Sequence, residues 1–316
     1  MNILITGALG HIGSYLLFNL PKKYKNLNII AVDSLATNRY PSMFGLPNEA
    51  KYRFIEADVK SESILDELKI SDLVIHLAAT TDAESSVHNP EKVENNNFES
   101  TRKVTEQCIE TSTKLIAIST SSIYGTSKKI VDENCDDQDL KPQSPYAKTK
   151  LREEKFLIEL KDNEQFKNFS ILRFGTIFGV SKGMRFHTAV NKFCWQAVMN
   201  KPLTVWKTAL NQKRPYLDLV DALSAIETVI NKNLFDGEIY NVLTKNLTVK
   251  DILSVIKLNI PNIEVLMTDS DIMNQYSYEV SVDKFIKKGF TPRGDEVKAI
   301  KETIQLLSNA NSFNDK

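Results

Sequence analysis

A tyrosine and a lysine four positions apart are the side chains here with the most chemical promise. The Tyr-x-x-x-Lys spacing occurs twice, as Tyr124…Lys128 and Tyr146…Lys150. With 10 tyrosines in the chain a chance occurrence is expected, so context has to separate the two. Tyr124 ends an apolar run and is followed by Gly125, where four residues do not share a helical face. Tyr146 opens SPYAKTKLREEKFLIEL, in which Pro145 suits the first turn of a helix. On a helix, residues i and i+4 are neighbours, so Lys150 lies beside Tyr146. An ammonium there, with a second positive charge bound beside it, favours phenolate and predicts a tyrosine pKa lowered from about 10 toward neutrality. Tyr146 would then be a base for a substrate hydroxyl. The bland alternative is an ordinary pair on an exposed helix face.

Other groups point to a nucleotide cofactor. ILITGALGHIG (3–13) is a short apolar run that turns on Gly7, Gly10 and Gly13 into a helical pattern. Such a turn presents backbone N–H groups at a helix N-terminus, where they hold a pyrophosphate. Glycine lets phosphate and backbone approach closely. The spacing departs from the usual G-x-G-x-x-G, and tight strand–helix turns also use glycine for packing alone. Asp33 ends IIAVD, 20 residues past Gly13. There it accepts hydrogen bonds from the adenosine ribose and repels a 2′-phosphate, which predicts NAD over NADP. A helix cap is the competing role for Asp33 or Ser34. Asp58 in IEADVKS suits the adenine edge or a turn. AISTSSIYG (117–125) ends in the hydroxyls of Ser119, Thr120, Ser121 and Ser122. Ligands of doubly wound sheets bind at the carboxyl ends of strands, although hydroxyl runs also form ordinary turns.

The elements needed to position these residues are legible in the pattern. Apolar runs at Asn2–Thr6, Leu27–Val32, Tyr52–Glu56, Leu73–Leu77, Lys114–Ser119 and Ser170–Phe174 read as strands buried on both faces. Helical patterns near 11–20, 61–69, 92–112 and 146–161 fill the gaps. This predicts an α/β fold with a doubly wound parallel sheet over residues 1–174. After 175 the rhythm changes: a loop at 179–183, a helix near 187–200, a strand LTVW (203–206), helix DLVDALSAIETVINK, strand EIYNVL (238–243) and helix LTVKDILSVIK (247–257). Residues 175–316 read mainly as a smaller mixed α/β substrate domain, with segments in about 212–245 returning to the first.

Lysine plus arginine equals aspartate plus glutamate, at 40 each, so charge gives no support to a nucleic-acid partner. No apolar stretch is long enough to span a bilayer. Cys108, Cys135 and Cys194 fit neither a disulfide framework nor a metal spacing. Cys108 and Cys194 read as core and Cys135 as an exposed loop thiol, in a cytoplasmic protein. His11, His76, His88 and His187 are scattered, which argues against a metal site. Trp195 and Trp206 read as core or interface residues.

Taken in order, these motifs resemble the extended short-chain dehydrogenase/reductases, in the NAD-dependent nucleotide-sugar epimerase/dehydratase group. The likeness spans nearly the whole chain: TGALGHIG, AVDSL, ADV, VIHLAA (74–79), ENNNFEST (94–101), ISTSSIYG, PYAKTK, LRFGTIFG (172–179), KRPYLDLVD (213–221), YNV (240–242) and DKFIKKGFTP (283–292). It implies a Rossmann domain with a catalytic set of Thr120, Tyr146 and Lys150. It places Gly7, Gly10, His11, Ile12, Gly13, Asp33, Asp58, Val59, Leu77, Ala78, Ala79 and Asn97, along with Tyr146 and Lys150, at the NAD site. Arg214 matches an arginine that pairs with a substrate diphosphate, and an ion pair with Asp218 is its alternative. Thr81, Ser121, Ser122, Arg185 and Asn191 complete the expected substrate contacts, with His187 on the same segment.

The implied reaction is epimerisation of a nucleoside-diphosphate sugar through a transient keto sugar, as in a UDP-glucose 4-epimerase. A one-way nucleotide-sugar reductase or dehydrogenase is the alternative within enzymes. A non-catalytic NAD-binding regulator is the alternative of another class. The 4,6-dehydratases of the group carry Asp-Glu where this chain has Ser121 and Ser122. Loss of water needs an acid and a base there, so dehydration is disfavoured. Gly175 and Thr176 replace the asparagine of many sugar epimerases, and WKTALNQKR (206–214) replaces a glycine- and acid-rich turn. Thr81 stands where some galactose epimerases have lysine. The base and sugar therefore stay open. The resemblance also implies a homodimer through the helices near 92–112 and 146–161.

Overall fold

A computed structural model describes residues 1–61, 64–81, 90–125, 128–269 and 277–308; His88 lies outside them. In chain order its first half runs β1 (Asn2–Thr6), α1 (His11–Asn19), β2 (Leu27–Asp33), β3 (Ala50–Glu56), α2 (Leu65–Lys69), β4 (Leu73–His76), α3 (Pro90–Thr111), β5 (Lys114–Thr120), β6 (Ile130–Val131), α4 (Pro145–Asp162) and β7 (Phe169–Phe174). It continues with β8 (Thr176–Phe178), α5 (Ala189–Val198), β9 (Leu203–Trp206), β10 (Arg214–Asp218), α6 (Leu219–Lys232), β11 (Glu238–Val242), β12 (Lys245–Leu247), α7 (Val249–Asn259), β13 (Val265–Thr268), β14 (Glu279–Val280), α8 (Asp283–Lys287) and α9 (Glu296–Ser308).

Seven strands form one parallel sheet in the order β11-β7-β5-β4-β1-β2-β3. Its central strands are apolar on both faces: Ile3, Leu4 and Ile5 of β1 are fully buried, Ile3 and Ile5 in one cluster and Leu4 in another. Each such side chain contributes about 1.5–3 kcal/mol on burial. The order of connection reverses between β1 and β4, and that reversal opens a crevice at the strands' carboxyl ends. The sheet is the doubly wound one expected, and β1 occupies the predicted residues.

The chain after residue 175 divides between two cores. Leu217, Ala222, Ile226, Tyr240, Phe285 and Phe290 join the cluster built on Ile3 and Leu16 of the parallel sheet. Val190, Phe193, Val205, Ile252, Ile256 and Ile300 form a separate cluster from α5, β9, α7 and α9. Small sheets accompany them: β12-β10-β8, with β10 antiparallel to β12 and parallel to β8, and the parallel pairs β13-β9 and β14-β6. EIYNVL therefore gives the outermost strand of the large sheet.

Local chemistry sets the helix starts that matter. Ser144 accepts a 3.2 Å hydrogen bond from Ala147 N and Pro145 takes the first helical position, so Tyr146 falls in the first turn of α4. Asp218 accepts from Val220 N at 3.0 Å and caps α6. Cys108 and Cys194 are buried. Cys135 is half-buried against the cluster of Ile123, Tyr124 and Val131, which corrects its reading as an exposed thiol. Among the described residues no helix is long and apolar enough to cross a membrane.

Candidate active site

A cavity of 1340 Å³ occupies the crevice. Its floor is the turn from β1 into α1. Gly7 has φ +62, and a Cβ on it would lie 2.8 Å from Ala78 N. A Cβ on Gly13 would lie 2.6 Å from the carbonyls of Gly7 and Ala8. Packing of the protein's own backbone thus demands both glycines. Gly10 differs: it is the N-cap of α1, makes no side-chain cap, and meets only Gly7 O at 3.2 Å. With His11, Ile12 and Gly13 it presents the helix N-terminus to the cavity, an end that favours an anion.

Asp33 lines the same cavity and receives Leu9 N at 3.1 Å and Leu35 N at 3.0 Å. A carboxylate so held keeps lone pairs for further donors, which suits ribose hydroxyls. Asp58 lines the cavity too, while one of its oxygens closes a turn onto Lys60 N at 2.9 Å. Val59, Leu77, Ala78 and Ala79 form the adjoining wall. Leu77 N and Ala78 N both donate to Thr6 Oγ1, at 3.1 and 3.2 Å. Asn97 lies behind that wall. Its Oδ1 accepts from Thr80 N at 2.7 Å and its Nδ2 donates to Thr80 O at 2.9 Å, so it shapes the wall without lining the cavity.

Thr120, Tyr146 and Lys150 converge on this cavity from β5 and α4. The other Tyr-x-x-x-Lys pair does not. Tyr124 O–H is buried on Asp132 O and Asn241 Oδ1, while Lys128 binds Asp139 at 2.5 Å. The expected fall of the Tyr146 pKa is corrected for the protein alone: burial holds the phenol above its ordinary value, against the pull of Lys150. Lys150 is also paired, at 2.9 Å, with Glu153 in the same helix, and that carboxylate adds to the upward shift. Burial opposes the Lys150 ammonium, but Glu153, Tyr146 and Glu154 together outweigh it and hold the lysine charged.

Cationic side chains gather at one end of the cavity. Arg185 Nη1 donates to Thr81 Oγ1 at 2.6 Å, and Arg39 Nη1 donates to Gly183 O at 3.1 Å. His11 meets Ser181 Oγ at 2.7 Å, and burial, with His187, Arg39 and Arg185 nearby, pulls its pKa down to about 3. Asn191 is fully buried and sits behind the cavity wall, donating to Arg185 O at 3.1 Å. It positions the arginine segment.

A smaller cavity of 260 Å³ adjoins the first and shares Ser122, Thr176, His187 and Trp206 with it. Ser121 and Arg214 line this second space. Arg214 lies over the Tyr278 ring, 4.9 Å from its centre, and donates to Gln212 Oε1 at 3.2 Å. It does not pair with Asp218, which caps α6. Burial lowers the Arg214 pKa, so an anion there would be favoured. Trp206, expected in a core or interface, lines both cavities. Arg39, Gly183 and Glu153 were not singled out by sequence reasoning. Only Glu153 carried a signal, its i+3 spacing from Lys150 on a helix.

A family model described as the NAD dependent epimerase/dehydratase family matches residues 3–242. YtcB of Bacillus subtilis, named an uncharacterized UDP-glucose epimerase, is 31% identical over 251 residues, covering 77% of this chain and 76% of that protein. The trifunctional UDP-glucose 4,6-dehydratase/UDP-4-keto-6-deoxy-D-glucose 3,5-epimerase/UDP-4-keto-L-rhamnose-reductase RHM1 of Arabidopsis thaliana is 27% identical over 319 residues, covering 96% of this chain and 46% of that protein. Among solved structures, UDP-glucuronic acid 4-epimerase from Bacillus cereus, in complex with UDP-glucuronic acid and NAD, shares the fold. It has a TM-score of 0.85 and 24% identity, covering 98% of this chain and 100% of that one.

Proposed function

The chain belongs to the NAD-dependent epimerase/dehydratase family, and from that membership we propose that it epimerises a nucleoside-diphosphate sugar by transient oxidation to a keto sugar. The observation that carries this reading is the meeting of Thr120, Tyr146 and Lys150 in one cavity with Asp33 and the N-terminus of α1. A volume of 1340 Å³ exceeds the roughly 300–1,000 Å³ of a typical small-molecule site, which suits a dinucleotide and a sugar together.

The residues present fit NAD. Gly10 to Gly13 would hold its pyrophosphate, Asp33 the adenosine ribose, Asp58 and Val59 the adenine side, and Leu77 to Ala79 the wall beside the phosphates. NAD, when bound, supplies a hydride acceptor and then a donor at the sugar carbon. Tyr146 takes the proton of the ring hydroxyl while Thr120 holds that oxygen. Lys150 favours the phenolate and would hold the nicotinamide ribose. The keto sugar turns over in the pocket and Tyr146 returns the proton after hydride reaches the other face.

Residues 1–174 serve the cofactor, and 175–316 mainly serve the substrate. Arg214 in the smaller cavity pairs with the diphosphate, and Thr81, Ser121, Ser122 and Arg185 meet the rest of the substrate. A homodimer through α3 and α4, which lie side by side, belongs to the same proposal. Ser121 and Ser122 follow Thr120 without a carboxylate, which favours epimerisation over the dehydration in the names of some relatives.

The test is Tyr146→Phe. Turnover of a nucleotide sugar falls by about 10²–10⁴-fold while NAD stays bound in a calorimetric titration. Full activity in this variant removes the base assignment. An epimerase shows no net change in nicotinamide absorbance over complete turnover, whereas a one-way reductase does. A regulator shows bound NAD that no nucleotide sugar reduces.

A further inference from the structure

From the buried polar groups behind Lys150, we propose that Glu153 is a positioning residue that sets the protonation of the Tyr146–Lys150 pair and ties it to the cofactor wall. The inference rests on the reading of Tyr146 as base. It begins with hydrogen-bond directions, which this chain of groups leaves no freedom to reverse. Thr101 Oγ1 donates to Glu153 Oε2 at 2.8 Å. A hydroxyl has one proton, so at 3.2 Å Thr101 Oγ1 must accept from His76 Nε2. His76 is then the Nε2–H tautomer, and its Nδ1 accepts from Thr6 Oγ1 at 2.8 Å. Thr6 Oγ1 in turn accepts from Leu77 N and Ala78 N. All donors point one way, and the sequence of bonds ends on the Glu153 carboxylate, which also accepts from Lys150 Nζ.

Every member is sequestered: Thr6 0%, His76 2%, Thr101 1%, Glu153 4% and Lys150 4% exposed. His76 is neutral, its pKa drawn down to about 3 by burial and by Lys150. No imidazolium therefore competes for the carboxylate. The groups that act on Glu153 and Lys150 are Tyr146 and Glu154 on α4, His76 on β4 and Thr101 on α3. Glu154 is held by Arg173 of β7, at 2.7 Å, and the charge of Arg185 also acts on Tyr146. Glu153 is thus the direct anionic partner of the catalytic lysine. Removing its charge lowers the proton affinity of the Tyr146–Lys150 pair, and with Tyr146 as the base the first proton to leave is the phenol's.

Glu153→Gln keeps the shape and removes the charge. Two readouts follow. In the cofactor-free protein, the phenolate absorbance difference between each protein and its Tyr146→Phe counterpart titrates at a pH lower by about one unit or more in Glu153→Gln, a tenfold change in proton affinity. With NAD and a nucleotide sugar, the acid limb of kcat/KM moves to lower pH in the same sense. A limb and absorbance titration that superimpose on the parent's, or that move to higher pH, overturn the proposal. If the glutamine variant does not fold, Glu153→Asp decides. The charge kept leaves the acid limb in place, while withdrawal of the carboxylate by one methylene lowers kcat at least threefold with KM unchanged; an undiminished kcat overturns it. The absorbance titration needs no turnover, so an absence of sugar-nucleotide activity would count against the enzymatic reading and not against Glu153.

Discussion

Gly183→Ala is a sharp test of how the cofactor floor is supported. Gly183 sits 170 positions after Gly13, yet its backbone lies on the glycine turn. A Cβ there would lie 2.3 Å from Leu9 O and 2.5 Å from Gly10 O, where ordinary contact begins near 3.4 Å. The residue's φ is not in the left-handed region, so the effect is steric alone. Both neighbours are main chain, and a close-packed interior has no slack to absorb the atom, so the turn must withdraw by about 1 Å. Gly183 N donates to Ser14 Oγ at 2.8 Å and Gly183 O accepts from Arg39 at 3.1 Å, and both bonds stretch as it moves. Overpacking of this kind costs about 1–3 kcal/mol, and weakened hydrogen bonds add about 0.5–1.5 kcal/mol each. We expect a stability loss of at least about 2 kcal/mol in urea unfolding of the cofactor-free protein. We also expect NAD affinity at least tenfold weaker by calorimetry, which is about 1.4 kcal/mol. Gly179→Ala is the control. Gly179 has φ +111 with nothing nearer than 3.5 Å, so the alanine strains the backbone by about 1–3 kcal/mol and leaves NAD binding unchanged. Parent-like stability and NAD affinity in Gly183→Ala would refute the argument.

Two further expectations concern buried charge. Arg173→Met leaves Glu154 without its guanidinium, inside a pair whose side chains are 4% and 3% exposed. It destabilises by about 3–5 kcal/mol, and adding Glu154→Leu recovers most of this in denaturant titration. Burial, with Asp221 adding to it, raises the Asp218 pKa from 3.8 to about 6. The native state then holds a proton that the unfolded chain has released. The Asp218 contribution is accordingly full below about pH 4 and is lost as pH rises through 6, by about 3 kcal/mol at most. Relative to Asp218→Asn, the parent should therefore lose stability across that window, and parallel pH dependences would contradict the shift.

The sheet was legible because its strands are short apolar runs buried on both faces, a pattern that survives without knowledge of partners. β1 was placed residue for residue, and Pro145 marked the start of α4 through its fixed φ. The helix read near 61–69 is α2 from Leu65 onward, and residues 62–63 lie outside the described residues. Tyr146 and Lys150 were singled out by their spacing on a helix and Thr120 by the family resemblance, and all three line one cavity. What could not be read was the environment of each charge. The fall expected for the Tyr146 pKa ignored both burial and the carboxylate three residues beyond its lysine. Arg39 and Gly183 are joined only through tertiary packing, across 144 positions, and no local pattern announces such a contact. Asn97 and Asn191 were placed in the right neighbourhood but one layer too far forward, because sequence gives proximity along an element and not depth.

The partition shared by the two cavities has a mechanical consequence. Four side chains, Ser122, Thr176, His187 and Trp206, face both spaces. On the function proposed above, an elongated substrate lying across them is anchored at one end by Arg214 while the other end pivots like a door on its hinge. A single stationary hydride donor could then address opposite faces of one carbon without the molecule ever leaving its mooring.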